Sequence, residues 1–207
     1  MDMTTFGKRE LNKAQTRLDI LTALYELSEQ TPFRDLKVKA IAEAAAITEM
    51  TFFNYFQKKE DILKYMMGIW ALDLVVLQSQ QPLMGEAAIR RIFSHTATQS
   101  KKYPRLMVNF IASLASNEID PAASNIELTD RYLLYPDLPE TAGLTIPSGN
   151  EMILKHLSEI DINADHTATL LHLASSFYGD PLIAYTSGLD LEMLYTSSLN
   201  LIFGLSQ

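Results

Sequence analysis

Apolar residues recur along this chain at three- and four-residue steps, the period of helices with one face turned inward. Leu18, Leu21, Leu24 and Tyr25, widened by Ile20 and Leu27, predict a helix over 14–30, and Thr31-Pro32 stops it because the residue before proline avoids helical backbone. Val38, Ile41, Ala42 and Ala45 predict a second helix over 37–45, with Asp35 as its cap. A third begins at Thr48. A fourth opens at Lys58-Lys59 and runs through Met66, Trp70, Leu74 and Leu77 to Gln80-Gln81-Pro82. Further helices are predicted over 84–100 and over 103–116, the latter carrying Leu106, Met107, Phe110, Ile111 and Leu114. Residues 120–149 hold four prolines and two glycines around one helical patch, 126–135, so a short helix inside a long loop is expected, either a lid carrying Tyr132, Leu133 and Tyr135 or a disordered segment. The chain closes with helices over 150–160, over 164–185 with Asp161 and Asn163 as caps and a kink at Pro181, and over 190–205. The fold class is all-α.

One stretch departs from the core pattern. Residues 48–59, Thr-Glu-Met-Thr-Phe-Phe-Asn-Tyr-Phe-Gln-Lys-Lys, are too polar and too short for a core helix. Thr48 has the side chain of an N-cap. A helix starting there turns Phe52 and Phe56 inward and leaves Glu49, Met50, Thr51, Phe53, Asn54 and Tyr55 facing outward. Side chains of this kind on the first turns of a short helix are what proteins insert into the major groove of DNA. An amphipathic surface helix has the same spacing, and that alternative stands at this point.

The net charge of −8 argues at first against nucleic acid, because lysine and arginine supply much of DNA affinity by neutralising phosphate. Its distribution changes the picture. Residues 1–64 carry ten basic against ten acidic side chains, whereas 65–207 carry seven against fifteen. The acidic remainder is repelled by DNA, an asymmetry that orients the molecule on a duplex. Lys8, Arg9 and Lys13 lie in an otherwise polar arm, 1–13, that either touches phosphates or frays. A hydrophobic content of 47% is that of a folded chain. The absence of cysteine excludes disulfides and thiolate metal sites, and no apolar run approaches a membrane span. A soluble, cytoplasmic protein with no membrane partner is expected.

The segment 17–63 resembles the DNA-binding domain of the TetR family of bacterial transcriptional regulators. Arg17, Ile20, Leu21, Ala23 and Leu27 carry the resemblance on the first helix. Phe33, Val38, Ile41, Ala42 and Ala45 follow, then Ile47-Thr48, Thr51, Phe53, Tyr55-Phe56, Lys59-Glu60 and Leu63. It implies a three-helix helix-turn-helix domain over 1–64, joined to a larger helical ligand-binding and dimerisation domain over 65–207. It also implies base-edge contacts at Glu49, Met50 and Thr51, with Asn54 facing adenine or the backbone, and phosphate contacts at Thr48, Phe53, Tyr55 and Lys59. Relatives usually open the second helix with threonines that touch phosphate. Here Lys37 or Lys39 takes that place by charge. Met50 either presses on a thymine methyl or packs half-buried, and Glu49 accepts from cytosine N4.

Four departures from the family pattern bear on function. Pro32 stands where relatives have a glycine. Ala46 stands at a turn position usually held by glycine, where a Cβ at positive φ costs about 1–2 kcal/mol, so either the turn adapts or the strain is carried. Met50 replaces another usual glycine. Phe53 replaces a tyrosine, which removes a phosphate hydrogen bond that Tyr55 partly takes over.

The resemblance further implies an effector pocket, for which Trp70, Leu74, Met107, Phe110, Ile111, Phe177 and Tyr178 offer soft and aromatic surface suited to a small, mainly apolar or aromatic ligand. It implies a homodimer held by the last two helices, with Leu170, Ala174, Leu191, Leu194, Tyr195, Leu199 and Ile202 as its candidates. Two copies are needed to place two reading helices on one face of a palindromic, double-stranded operator. No phosphate-binding glycine loop, dinucleotide fingerprint or nucleophile elbow occurs, and His95, His156, His166 and His172 have no metal spacing among them. The expectation is therefore a ligand-released regulator, a repressor, with no catalytic residue, no metal and no cofactor. The alternative is a helical ligand-binding or protein-interaction module that has lost DNA affinity, and sequence-selective DNA binding separates the two.

Overall fold

The computed structural model describes residues 6–119, 126–160 and 166–204. Ten α-helices appear in chain order: α1 (Lys8–Ser28), α2 (Val38–Ala44), α3 (Glu49–Tyr55), α4 (Asp61–Gln80), α5 (Gly85–Lys102), α6 (Pro104–Ala115), α7 (Leu128–Leu134), α8 (Gly149–Leu157), α9 (His166–Ser187) and α10 (Leu191–Gly204). Among the described residues, two short 3₁₀ turns, Phe33–Asp35 and Pro139–Gly143, complete the regular structure, and no strand occurs. The all-helical reading holds.

The chain divides into two compact units. The first comprises Met1–Val76 with Ser113–Ile146, and the second Leu77–Ala112 with Pro147–Gln207. The boundary expected at 64/65 falls four residues into α4, one unbroken helix. The expectation that no apolar run approaches a membrane span is corrected here: this helix has the length and mean hydropathy of one, and half of its apolar window is buried inside the fold.

In the first unit, α1 buries Ala14, Ile20, Leu21, Ala23 and Leu24 and packs on α2, which packs in turn on α3. The inward residues of those two short helices are Ile41, Ala42 and Phe52. The first helix starts at Lys8, so the second half of the expected arm is helical, with the Glu10 carboxylate accepting from the Gly7 N–H at 2.9 Å. Residues 1–5 of that arm lie outside the described residues. Asp35 does not cap α2. It sits in the 3₁₀ turn, and Lys37 holds the N-cap position without a side-chain bond. The expected helix over 126–135 is present as α7, which packs on α1.

In the second unit, the ring of Phe93 on α5 meets Phe177 on α9 and Tyr195 on α10 edge to face at 5.2 and 4.8 Å, a favoured arrangement of aromatic quadrupoles. α9 runs unbroken through Pro181. Proline has no N–H, so the Phe177 carbonyl one turn earlier loses its helical donor. The Tyr195 hydroxyl, buried on α10, donates to that carbonyl at 2.8 Å. The foreseen caps Asp161 and Asn163 lie outside the described residues. α8 is capped by Ser148, which accepts from the Glu151 N–H while Glu151 accepts from the Ser148 N–H.

Candidate nucleic-acid interface

The reading helix is set by its two ends. At the entry, Ala46 adopts φ 54°. The turn therefore keeps the left-handed backbone a glycine would supply, and carries the strain of a Cβ there. Thr48 then caps α3 as expected, its Oγ1 accepting from the Thr51 N–H at 3.1 Å. At the exit, the Phe56 N–H bonds back to the Phe52 carbonyl. The rings of Phe52 and Phe56 are buried 5.8 Å apart, and Phe56 lies 5.8 Å from Tyr65 on α4.

With those two rings anchored, helical geometry turns the remainder outward. Met50 is 78% exposed and Phe53 49% exposed, its ring edge-on to Phe52 at 5.4 Å. Glu49 and Asn54 are exposed, whereas Thr51 and Tyr55 are half-buried. Of the two readings left open for Met50, packing is absent and projection is present. Seven residues of helix span about 10 Å, short enough to lie within a major groove about 12 Å wide.

The basic candidates separate. Lys37 and Lys39 are exposed, with Lys39 only loosely paired to Glu43 at 3.9 Å. Lys59 is turned inward. Its ammonium donates to the carbonyls of Phe33 at 2.7 Å, Arg34 at 3.2 Å and Leu36 at 2.9 Å, and lies 4.6 Å over the Phe33 ring. Burial holds its pKa below the ordinary lysine value. All three ammonium hydrogens are engaged within the unit, so any pull on phosphate acts through charge alone. Lys58 donates to the Glu118 carbonyl.

Two further cations, outside the expected set of contacts on the reading motif, stand beside the reading helix. An open cleft of about 710 Å³ in the first unit is lined by Arg9 and Lys13 of α1, by Thr51, Asn54 and Tyr55 of α3, and by Glu127, among others. The arm's basic composition hinted at Arg9 and Lys13. Their place in a cleft shared with α3 required the helix to start at Lys8, which periodicity did not reveal.

The effector candidates fall in both units. Trp70 and Leu74 are buried on α4 in the first. Met107, Phe110 and Ile111 on α6 and Phe177 on α9 are buried in the second, with Tyr178 half-buried 5.3 Å from Phe177. Met107 alone of these lines a cavity of about 320 Å³ in the second unit, among Pro104, Pro181, Ala184 and Leu189, beside a Lys101–Asp190 ion pair at 3.2 Å. Of the dimerisation candidates, Leu191, Tyr195 and Leu199 are buried within the protomer, and Leu170, Ala174, Leu194 and Ile202 are half-buried. The apolar residues left exposed on α9 and α10 are others, notably Leu171, Ile183, Met193 and Leu201. Among the described residues no group of three carboxylates or histidines is placed to hold a metal.

Residues 20–66 match the sequence profile of bacterial regulatory proteins of the tetR family. No curated protein matches the chain. Among solved structures, FadR of Thermus thermophilus, a TetR-family transcriptional repressor in complex with lauroyl-CoA, is similar at a TM-score of 0.57 and 20% identity over 90% of this chain and 93% of that one. FadR of Bacillus subtilis in complex with stearoyl-CoA is similar at 0.56 and 17% identity, over 89% and 96%. PfmR of Thermus thermophilus, a TetR-family regulator, is similar at 0.54 and 17%, over 88% and 96%. At these identities the structures speak for the fold.

Proposed function

The chain belongs to the TetR family of bacterial transcriptional regulators, through residues 20–66, and from that premise we propose that it is a homodimeric repressor released from a palindromic operator by a small amphiphilic effector. The observation that carries this reading is the capped α3 with Glu49, Met50, Phe53 and Asn54 exposed on anchored rings. Glu49, Met50 and Thr51 face bases. Thr48, Tyr55, Lys37 and Lys39, joined by Arg9 and Lys13, face phosphates. The left-handed Ala46 supports the reading over a module that has lost DNA affinity, because the substitution most able to distort the turn leaves its backbone as a glycine would.

The effector is a fatty acyl thioester. Two similar folds hold acyl-CoA, and a cavity of the second unit pairs apolar walls with a lysine–aspartate rim. Binding shifts the molecule toward a state that no longer fits the operator, which requires higher affinity for that state. The partner copy packs on the exposed apolar residues of α9 and α10.

Selection of bound fragments from a random DNA pool, followed by salt titration of the winner, tests the regulator. A palindrome with a steep salt slope is expected, and no enrichment at low salt returns the reading to a ligand-binding module. Adding lauroyl-CoA or stearoyl-CoA to the complex then tests the effector. Release supports it, and retention at saturating ligand removes acyl thioesters.

A further inference from the structure

We propose that α7 sets the attitude of the reading helix through a buried knot of Arg17, Asp130 and Tyr65, which makes Asp130 a positioning residue for operator recognition. This inference rests on the reading of the chain as a DNA-binding regulator. Asp130 stands on the first turn of α7 and is fully buried. Its Oδ1 accepts from Arg17 Nε at 3.0 Å and from the Tyr65 hydroxyl at 2.8 Å, and its Oδ2 accepts from the Glu127 N–H at 2.8 Å. Arg17 completes the knot by donating both Nη groups to the Glu127 carboxylate at 3.1 and 3.0 Å.

Each partner belongs to an element that fixes α3. Arg17 lies on α1, one turn before Ile20 and Leu21 and two before Leu24, which build the three-helix core. Tyr65 lies on α4, 1% exposed, with its ring against Phe56. Phe56 in turn meets Phe52, and Phe52 meets the exposed Phe53. An unbroken series of contacts therefore runs from the Asp130 carboxylate to the outward face of the reading helix. α7 is pinned a second time where the Tyr135 hydroxyl donates to Asp73 on α4. A rotation of α7 reaches α1 and α4 together.

The choice of chemistry supports positioning over stability. Removing an ion pair from water costs so much that well-packed apolar residues of similar volume often hold two helices as firmly or better. What the forked guanidinium and the charged acceptor add is direction, since their hydrogen bonds are satisfied only over a narrow range of angles.

The experiment uses the full-length protein and the operator fragment it selects, with competitor DNA of random sequence. Asp130→Asn keeps the shape of the side chain and its bond from Tyr65 while removing the charge that faces Arg17. The expected result is a loss of about tenfold in operator affinity, the ordinary size of a coupling between sites, with affinity for competitor DNA and the salt slope unchanged. The double replacement Arg17→Met with Asp130→Leu should restore the thermal midpoint without restoring the preference for operator, an outcome a merely structural role does not give. Wild-type preference in either folded protein overturns the proposal. Should Asp130→Asn fail to fold, Tyr65→Phe removes one hydroxyl only, and an unaltered operator preference there overturns it equally. A wild-type protein that selects no operator would defeat the regulator reading itself, before any variant is compared.

Discussion

Replacing Ala46 by glycine should stabilise this protein, although alanine-to-glycine changes ordinarily do the reverse. At φ 54° the Ala46 Cβ crowds its own backbone, at a cost of about 1–2 kcal/mol for an L-residue in this region. Glycine removes that cost and adds about 0.5–1 kcal/mol of entropy to the unfolded chain. The balance is a gain of roughly 0.5–1 kcal/mol, which for a chain of this size raises the thermal midpoint by about 2–4 °C per kcal/mol. The neighbouring residue is the control. Ala45 closes α2 at φ −81°, so Ala45→Gly relieves nothing and should lose about 0.5–1 kcal/mol. Urea unfolding of both variants, with equal slopes, reads the two signs side by side. If Ala46→Gly lowers the midpoint as Ala45→Gly does, the turn holds no strain and the argument from its backbone is wrong.

Lys59→Ala should lower stability by about 1–3 kcal/mol by leaving carbonyls unpaired, while the salt slope of operator binding stays unchanged; a slope reduced by about one would make Lys59 a phosphate contact. Leu201→Lys, on the exposed face of α10, should convert the proposed dimer to monomers in sedimentation, and a persisting dimer would move the interface elsewhere. In the second unit, the Gly85 N–H and the His156 ring hold the Glu159 carboxyl below its ordinary 4.5. Below that pH the unfolded chain takes up a proton that the folded chain still refuses. The stability Glu159 contributes is therefore complete above about pH 4.5 and lost as pH falls through the folded value. Acid unfolding of Glu159→Gln should be shallower in that window, and identical profiles would contradict the linkage.

The entry and exit of the reading helix were legible because their signals are local. Thr48 caps three residues ahead, and Phe52 and Phe56 share a face by their spacing alone. The knot around Asp130 was not legible, since Arg17 and Asp130 lie 113 residues apart and no local pattern marks a carboxylate destined for burial. Lys59 reads as outward-facing in the sequence because a lysine beside the reading motif looks like surface charge. Only the folded turn reveals three carbonyls converging on it. α10 is ambiguous for a third reason. Apolar residues occur on both of its faces, so Leu191, Tyr195 and Leu199 in the protomer's own core and Met193 and Leu201 outside it belong to stripes of equal appeal.

The carbonyls gathered by Lys59 give the corner between α1 and α2 an unusual portability condition. The chain closes Phe33–Asp35 with a cation delivered from residue 59, far along the sequence. A chimera that imports this corner without that lysine inherits carbonyls with nothing to bind. The two segments form one transplantable unit, and recombination between relatives preserves the reading head only when its breakpoints leave that unit whole.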